Sequence, residues 1–401
     1  MTYVKRDIEV QLTQYLDAKE IIAVVGPRQC GKTTLVTHFL RKRKNVNTIS
    51  FDDIKQLSLF EHDIDSFIEL NVRGYKYLFI DEVQYAKESG KKLKYIYDTQ
   101  DIKIFISGSS APELSISSMK YLVGRIFIFK LYPFSFNEFL RAKNAQLEKL
   151  YSRGAYKEEI LKQLNVYLRE FLLYGGYPRV ALAKDDAEKQ TVLQNLYNTY
   201  LLKEIKEILG LQENDKLVKL LKALSLQIGN LLNYNELSTI TGFSYVQLKK
   251  YLQILEETYV TQRISTFHMN KRTELVKTPK IYFIDLGFRN ICIDNFAAER
   301  VDLGAMYENT VFSEMITHEV KYWRTKAGAE VDFVINKTPI EIKSQLQEQK
   351  TTRSFQSFLE KYKPKKGFIV SQNCEGIAKK GNTTIHFVPF VKFFQRKHEK
   401  W

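Results

Sequence analysis

The sequence predicts an α/β fold whose first domain is a parallel sheet with helices on both faces. Two observations support this prediction. Residues 1 to about 140 alternate short apolar strands with helical patterns, the order that builds a parallel sheet. One of these strands, Ile21 to Val25, runs directly into a glycine-rich loop, and a helix-like stretch from Thr34 to Leu40 follows that loop.

The loop has the full G-x-x-x-x-G-K-[ST] pattern of a phosphate-binding loop. Its residues are Gly26, Pro27, Arg28, Gln29, Cys30, Gly31, Lys32 and Thr33. The glycines let backbone N–H groups surround phosphates, and the helix N-terminus adds partial positive charge. We expect Lys32 to reach the β- and γ-phosphates of ATP and the Thr33 hydroxyl to hold Mg²⁺. The alternative is a fortuitous glycine-rich turn.

A second strand, Tyr77 to Ile80, ends in the acidic pair Asp81 and Glu82 about 50 residues after the loop. This is the order of a Walker B strand. Asp81 would hold Mg²⁺ through water, and Glu82 would polarise the water that attacks the γ-phosphate. By itself, a carboxylate pair after a strand is usually a solvated turn, so the prediction rests on the combination with the loop.

A third strand, Ile102 to Ile106, ends in small polar residues, Ser107-Gly108-Ser109-Ser110. Their hydroxyls are predicted to sense the γ-phosphate, with Ser109 as the nucleotide-contacting residue. A plain Ser/Gly turn explains the same pattern.

Composition bounds the protein class. A chain of 401 residues with 44% hydrophobic and 27% charged residues is expected to fold into two or three globular domains. No apolar run approaches the ~20 residues of a membrane helix, and the N-terminal residues lack a signal-peptide core. The three scattered cysteines and six histidines show no disulfide or metal-ligand spacing. We therefore expect an intracellular, cytoplasmic and nucleoid-associated protein.

The formal net charge is +15. Such a basic excess favours polyanionic partners, and nucleic acid is the usual one. A lysine-rich proteome is the alternative explanation.

The middle of the chain is predicted to be helical. Residues from about 155 to 212 form a small helical lid, interrupted by Gly175-Gly176-Tyr177-Pro178. For residues 215 to 290 the pattern predicts one helix followed by a helix–turn–helix, in which Asn235 and Ser244 cap the two helices. Two predicted strands follow, Tyr259 to Phe267 and Lys280 to Ile284. This is the order of a winged helix.

The second helix of that predicted winged helix carries residues suited to DNA. Gln247, Lys249 and Lys250 would face the major groove and its phosphates. Winged helices also serve as packing modules, and that alternative stays open.

The last hundred residues contain a candidate metal site. Glu308 lies on a helical stretch predicted to reach Val320, and Asp332 and Glu341 lie on the two strands of a predicted hairpin. Carboxylates can hold a divalent metal that polarises a phosphodiester, and Lys343, on the same strand face as Glu341, can orient the attacking water. A solvated hairpin with a cross-strand ion pair is the alternative.

Together these motifs resemble a family of prokaryotic AAA+-like ATPases that join a P-loop ATPase to a winged helix and a C-terminal domain similar to PD-(D/E)xK nucleases. The resemblance spans nearly the whole chain. It is carried by Gly26 to Thr34, Phe79-Ile80-Asp81-Glu82-Val83-Gln84, Ser107 to Ser110, Gly124-Arg125, Pro133-Phe134-Ser135-Phe136-Asn137-Glu138, Gly175 to Pro178, Lys280-Ile281-Tyr282-Phe283-Ile284-Asp285 and Glu330-Val331-Asp332-Phe333.

The resemblance gives two arginines and Thr34 a role. Arg125 matches the arginine that reaches the γ-phosphate bound by a neighbouring subunit, which implies a homo-oligomer, by likeness a hexameric ring. Arg179 looks like the lid arginine that reports nucleotide state, and Thr34 belongs to the nucleotide-binding loop. Each arginine could also be an ordinary surface or core-edge residue.

The C-terminal domain also resembles archaeal Holliday-junction resolvases. Glu308, Asp332, Glu341, Lys343 and Ser344 match the motif positions of those enzymes, which implies a Mg²⁺ or Mn²⁺ site at Glu308, Asp332 and Glu341. Folds of this class also persist as inactive DNA-binding platforms.

The combined prediction has three domains: an ATPase with its lid (1–212), a winged helix (213–292) and a nuclease-like domain (293–401). The predicted function is ATP-driven remodelling of, or translocation on, duplex or branched DNA, with metal-dependent cleavage as a further activity. The alternative is a nucleotide-regulated ATPase that acts on a protein partner and has no DNA role.

Overall fold

The computed structural model describes residues 3–108, 119–154, 157–211, 214–270, 272, 274 and 277–398. Two compact units divide the chain. The first comprises Met1–Phe134 with Glu257–Val260, and the second comprises Ser135–Glu256 with Thr261–Trp401. Within the described ranges, no helix combines the length and the apolar character needed to cross a membrane.

The first unit is built on a five-stranded sheet. Its strands are β1 (Ile21–Val25), β2 (Val46–Ser50), β3 (Tyr77–Asp81), β4 (Lys103–Gly108) and β5 (Ile126–Lys130). The spatial order is β2-β3-β4-β1-β5, and all neighbours are parallel. The helices are α1 (Glu9–Gln14), α2 (Lys32–Leu40), α3 (Ile54–His62), α4 (Ile64–Asn71) and α5 (Ser89–Thr99). The predicted parallel α/β fold is confirmed for this part of the chain.

Alternation along β1 explains why both faces of the sheet are covered. Ile21, Ala23 and Val25 belong to one apolar core, whereas Ile22 and Val24 belong to another. Successive strand side chains point to opposite faces, so a strand that is apolar throughout must be buried on both sides. Because β1, β3 and β4 are also parallel to one another, their carboxyl ends meet at one edge of the sheet.

The second unit begins with helices. These are α6 (Phe136–Lys143), α7 (Ala145–Ser152), α8 (Glu158–Tyr174), α9 (Pro178–Ala181), α10 (Asp186–Leu196), a π-helical continuation (Tyr197–Ile205), α11 (Lys206–Leu209), α12 (Asp215–Leu226), α13 (Tyr234–Thr241) and α14 (Tyr245–Glu257). The antiparallel strands β6 (Thr261–Ile264) and β7 (Lys280–Phe283) follow. The element order predicted for residues 215 to 290 is thus observed, while the winged-helix assignment stays a prediction.

The remaining elements form a mixed sheet with flanking helices. They are α15 (Leu286–Cys292), α16 (Leu303–Glu314), β8 (Lys321–Arg324), β9 (Glu330–Ile335), β10 (Thr338–Ile342), α17 (Arg353–Tyr362), β11 (Lys366–Ser371), β12 (Gly376–Lys380), β13 (Thr383–Pro389) and α18 (Phe390–Phe394). The sheet order is β12-β13-β11-β10-β9-β8. Aromatic residues of α17, including Phe355 and Phe358, pack on this sheet beside Trp323.

Three predicted boundaries are wrong. The strand expected from Tyr259 to Phe267 is only Thr261–Ile264, because Tyr259 adopts a left-handed backbone with φ of 59°. The helix that carries Glu308 ends at Glu314 instead of Val320, and the Met315 N–H after it bonds to the Phe312 carbonyl at 3.0 Å, as in the tightened last turn of a helix. The N-cap of α13 is Asn233, which accepts a hydrogen bond from the Glu236 N–H at 3.2 Å, and not Asn235.

Candidate functional site

The phosphate loop has a backbone that depends on glycine at two positions. Gly26 and Gly31 have positive φ values of 158° and 94°. A Cβ atom at Gly26 would lie 2.0 Å from the Leu131 carbonyl oxygen, a distance that no side chain allows. Gln29 also has a positive φ, of 58°. This curvature turns the loop between β1 and α2 into a tight cradle.

The Lys32 ammonium lies inside this cradle. The side chain is only 5% exposed and donates hydrogen bonds to the carbonyl oxygens of Gly26 at 3.0 Å and Pro27 at 2.8 Å. An ammonium group has three N–H donors, so one remains after these two bonds. The loop thus presents a buried cation at the position where the pattern expects phosphate.

Three polar side chains join the ends of α2, β3 and β4. The Thr33 hydroxyl donates to Asp81 Oδ2 at 2.7 Å, and the Ser107 hydroxyl donates to Asp81 Oδ1. Asp81 and Ser107 are 7% and 1% exposed. The predicted Mg²⁺-holding pair, Thr33 and Asp81, is therefore brought together. Hydroxyl and carboxylate oxygens are the hard donors that Mg²⁺ takes, so these residues fit the ion.

Glu82 follows Asp81 in a left-handed conformation, with φ of 54°. Non-glycine residues rarely adopt this conformation, and they cluster at functional sites when they do. The Gln84 amide donates a hydrogen bond to the Glu82 carboxylate. Gln84 thus holds the side chain predicted to polarise water, and that role of Glu82 stays a prediction.

Of the other predicted nucleotide contacts, Arg28 donates to the Tyr85 hydroxyl at 3.2 Å. Cys30 is fully buried, its thiol donates to the Leu131 carbonyl at 3.4 Å, and burial raises the pKa of that thiol. Pro27 contributes a carbonyl to Lys32, and Thr34 lies in the first turn of α2. Ser109 lies outside the described residues, so the hydroxyl that the structure brings to the site is that of Ser107.

Arg6 supports the loop and was not predicted. Its guanidinium, in a residue only 4% exposed, donates to the carbonyls of Cys30 at 2.8 Å and Tyr132 at 2.6 Å and lies 4.8 Å from the centre of the Phe134 ring. It ties the phosphate loop to the segment after β5. A single arginine in an amphipathic N-terminal stretch carries no sequence signal for such a role.

Arg125 lies at the edge of the sheet opposite the phosphate loop. Its carbonyl accepts the N–H of Ile21, the first residue of β1, and its guanidinium pairs with Asp98 at 3.0 Å. The five residues of β1 separate this edge from the loop by about 16 Å, at roughly 3.3 Å per residue. From there, Arg125 is not placed to contact a nucleotide on its own loop, so a finger role requires a second chain.

In the second unit, Arg179 pairs with Glu188 at 2.8 Å and is 44% exposed. It follows a tightly built junction, because the Asp285 carboxylate accepts the Gly176 N–H at 2.6 Å. The predicted lid role of Arg179 stays a prediction.

The predicted C-terminal residues share one end of the mixed sheet. Asp332 Oδ2 accepts the Ile342 N–H at 2.7 Å across the β9–β10 hairpin. Glu341, 3% exposed, pairs through Oε1 with Lys343 at 3.0 Å and accepts from Thr352 at 3.1 Å. The expected Glu341–Lys343 face is therefore present.

The charges of this cluster interact strongly. Burial, together with the Asp332 carboxylate, raises the pKa of Glu308 to about 7. Burial also raises the pKa of Asp332 and that of Glu341. Burial would lower the pKa of Lys343, but the neighbouring carboxylates, Glu341 first, outweigh it and raise that pKa. Crowded carboxylates in a buried place favour a cation among them.

Lys280 supplies such a cation, and no role in this site was predicted for it. Its ammonium, in a residue 2% exposed, lies 2.6 Å from Glu330 Oε1 and 3.3 Å from Glu308 Oε1. The Tyr282 hydroxyl donates to the same Glu308 oxygen at 2.5 Å. Across the described residues, no three His, Cys, Asp or Glu side chains converge as a metal-binding group. The predicted ligand set therefore does not fit a divalent metal in this arrangement.

Comparison with protein families gives three matches. Residues 18–140 match an AAA domain family, residues 165–299 match a domain of unknown function (DUF8612), and residues 303–393 match another (DUF4143). With the phosphate loop and the Thr33–Asp81 pair, the AAA match supports an AAA+-like ATPase. The other two matches carry no described function.

Relatives of similar length exist among uncharacterised proteins. One from Methanocaldococcus jannaschii is 26% identical over 97% of this chain and 90% of its own length. One from Haemophilus influenzae is 27% identical over 82% of each chain. Another, from Mycobacterium tuberculosis, is 22% identical over 82% of this chain and 71% of its own.

Among solved structures, a Walker-type ATPase of Pyrococcus abyssi aligns with 15% identity and a TM-score of 0.47 over 73% of this chain and 96% of that one. The ORC1 protein of Aeropyrum pernix, solved in complex with DNA, aligns with 11% identity and a TM-score of 0.33 over 73% and 93%.

Proposed function

We propose that this protein hydrolyses MgATP and uses the energy to remodel, or to translocate on, duplex or branched DNA. The observation that carries the ATPase part is the link from the phosphate loop through the Thr33 hydroxyl to Asp81 and Ser107. It aligns three separate segments at the carboxyl edge of the sheet, where P-loop proteins bind nucleotide.

The residues divide the chemistry among them. The Lys32 ammonium would exchange its loop carbonyls for the β- and γ-phosphate oxygens, and Thr33 and Asp81 would hold Mg²⁺. Mg²⁺ supplies charge neutralisation of the phosphates when it is bound. Glu82 would orient the attacking water, with Gln84 fixing its carboxylate. Arg125 of a second chain would complete the site in a homo-oligomer.

Charge supports DNA as the partner. Lys249 and Lys250 are exposed on α14. At the amino end of β11, a second group of lysines surrounds the β12–β13 turn: Lys361, Lys363, Lys365, Lys366, Lys379 and Lys380. Within this group, Lys380 pairs with Glu360 at 3.6 Å. Phosphate-binding surfaces are built from such lysine groups.

Metal-dependent cleavage at Asp332, Glu341 and Lys343 stays a prediction from the sequence and is not part of this proposal. The Glu341–Lys343 pair supports it, whereas the Lys280 contacts with Glu308 and Glu330 oppose metal entry. The comparison of wild type with Asp332→Ala on linear and four-way DNA, with Mn²⁺ present, decides whether strands are cut.

A second candidate function is an ATPase that acts on a protein partner. Tyr245 and Val246, at the start of α14, are 51% and 76% exposed. Apolar side chains at this position suit a protein surface as well as a DNA groove.

The two candidates are separated by a charge-reversal experiment. In Lys249→Glu/Lys250→Glu, we expect affinity for labelled duplex and four-way DNA, measured by fluorescence anisotropy, to fall at least about tenfold, and the salt dependence to weaken. Repulsion replaces phosphate neutralisation in this variant. The matched control is Lys157→Glu/Lys162→Glu, which makes the same charge change at two exposed lysines.

ATP hydrolysis is followed in the same series, with Lys32→Ala as the inactive reference. If wild type does not bind DNA and DNA does not change its hydrolysis rate, the DNA proposal is contradicted and the protein-partner candidate is favoured. Hydrolysis at the normal rate by Lys32→Ala would contradict the nucleotide site itself.

A further inference from the structure

Lys280 is the buried cation of the C-terminal carboxylate cluster. It lies on β7, and its ammonium contacts Glu330 on β9 at 2.6 Å and Glu308 on α16 at 3.3 Å. The side chain is 2% exposed. A lysine charge is costly to bury unless carboxylates surround it, so these contacts fix its position.

The surroundings leave this ammonium little freedom. The Tyr282 hydroxyl, two residues along β7, holds the same Glu308 oxygen at 2.5 Å. Gly229 approaches the Glu308 carboxylate so closely that a Cβ atom there would lie 3.2 Å from it. Glu330 is fixed from its other side by Arg324 at 3.0 Å. Tyr282 on β7 and the close approach of Gly229 thus hold the Glu308 carboxylate beside Lys280.

The arrangement explains why the predicted metal ligands do not form a metal-binding group. Glu308 is one of the three predicted ligands, and one of its oxygens receives both Lys280 and Tyr282. Asp332 commits one oxygen to the Ile342 N–H. A divalent ion with Glu308 as ligand would bring two further positive charges beside the Lys280 ammonium, and like charges this close repel strongly.

We propose that the Lys280 ammonium is a built-in cation that takes the place of a divalent metal among Glu308, Glu330 and Asp332 and keeps metal out of the C-terminal site. The site is therefore closed while β7 holds its present position.

The test measures Mn²⁺ binding to the full-length protein without nucleotide, by electron paramagnetic resonance. Lys280→Met keeps the length of the side chain and removes its charge. We expect it to bind one more Mn²⁺ per chain than wild type, and we expect Lys280→Met/Asp332→Asn to lose that additional ion. Lys280→Arg, which keeps the cation, should bind no more Mn²⁺ than wild type.

A melting experiment keeps the proposal testable if Lys280→Met folds poorly, since it leaves Glu308 and Glu330 without their cation. Mn²⁺ should raise the melting temperature of Lys280→Met by more than it raises that of wild type. The melting temperature of Lys280→Met/Asp332→Asn should respond to Mn²⁺ as that of wild type does. The proposal is overturned if wild type binds a Mn²⁺ that Asp332→Asn removes, or if Lys280→Met gains neither an ion nor Mn²⁺-dependent stability.

Discussion

Asp285 is the polar centre of the junction between α8 and α15. Its Oδ2 accepts the Gly176 N–H at 2.6 Å, and its Oδ1 accepts the Phe288 N–H at 2.9 Å. A Cβ atom at Gly175 would lie 2.1 Å from Oδ1, so this approach requires glycine. The contact between this carboxylate and the Gly175-Gly176 backbone therefore explains why glycine stands at Gly175, more than a hundred residues before Asp285.

This carboxylate predicts a pH dependence of stability. Burial raises the pKa of Asp285 to about 6 from an ordinary value of 3.8, against the effect of its N–H donors. The folded protein thus binds this proton more tightly than the unfolded chain. The contribution to stability is full below pH 3.8 and is lost as the pH rises through about 6, on the order of 3 kcal/mol in total.

The measurement is urea unfolding of wild type and Asp285→Asn between pH 4 and 7. Asp285→Asn is less stable throughout, because an amide cannot accept both N–H bonds. The difference between the two proteins should shrink as the pH rises. Glu299→Gln, which alters an exposed carboxylate, is the control and should keep the wild-type slope. Parallel curves for wild type and Asp285→Asn would show that Asp285 does not titrate in this range.

At the scale of elements, helix N-termini decide several boundaries. In α6, the Ser135 hydroxyl accepts the Glu138 N–H while the Glu138 carboxylate accepts the Ser135 N–H. In α14, Ser244 and Gln247 form the same reciprocal pair, at 3.3 and 2.9 Å. Each pair satisfies two N–H groups that the helix leaves free.

The two asparagines near α13 give a matched prediction. Asn233→Ala removes the side-chain acceptor for the Glu236 N–H and should lower the free energy of unfolding by about 1 kcal/mol. Asn235 is exposed and lies within the first turn of α13, so Asn235→Ala should change the free energy of unfolding by less than about 0.5 kcal/mol. Thermal or urea unfolding of both variants checks the order. Equal losses would mean that the cap does not stabilise α13.

The same elements show what a sequence reveals. The start of β3 at Tyr77 was predicted correctly, and its end was predicted to within one residue, because the strand is an apolar run that ends at acidic residues. The α13 cap was misplaced because Asn233 and Asn235 are both suitable caps, and only packing selects one. Gln247 was predicted to face a DNA groove, yet the Ser-x-x-Gln pattern of a capping box was readable and describes its contact.

At the scale of the whole molecule, the phosphate loop was predictable because its residues are contiguous in the chain. Asp81 followed because parallel strands bring their carboxyl ends together. Arg6 and Lys280 were not predictable, since Arg6 acts on Cys30 and Lys280 on Glu330 through contacts between distant segments. A buried arginine or lysine resembles a surface one until the fold selects its partners.

Arg125 links the single chain to an assembly. It lies at the sheet edge opposite its own phosphate loop and pairs there with Asp98, also over the Tyr97 ring at 5.8 Å. An arginine in this position can contribute to hydrolysis only at the loop of a neighbouring chain. Arg125→Ala should therefore reduce the ATP hydrolysis rate by at least about a hundredfold while nucleotide affinity stays near wild type.

A mixing experiment tests the same point without relying on one defective protein. Glu82→Gln keeps Arg125 but lacks the water-orienting carboxylate, and Arg125→Ala keeps Glu82 but lacks the finger. If the arginine acts between chains, mixing the two inactive proteins creates sites with an intact Glu82 on one chain and an intact Arg125 on the next. Hydrolysis should then recover to a substantial fraction of the wild-type rate. Asp98→Ala, which removes the partner of Arg125 within the chain, should leave the rate largely intact. A mixture no more active than its components, at concentrations where both proteins assemble, would contradict a role of Arg125 at the neighbouring site. Its function would then be the ion pair with Asp98.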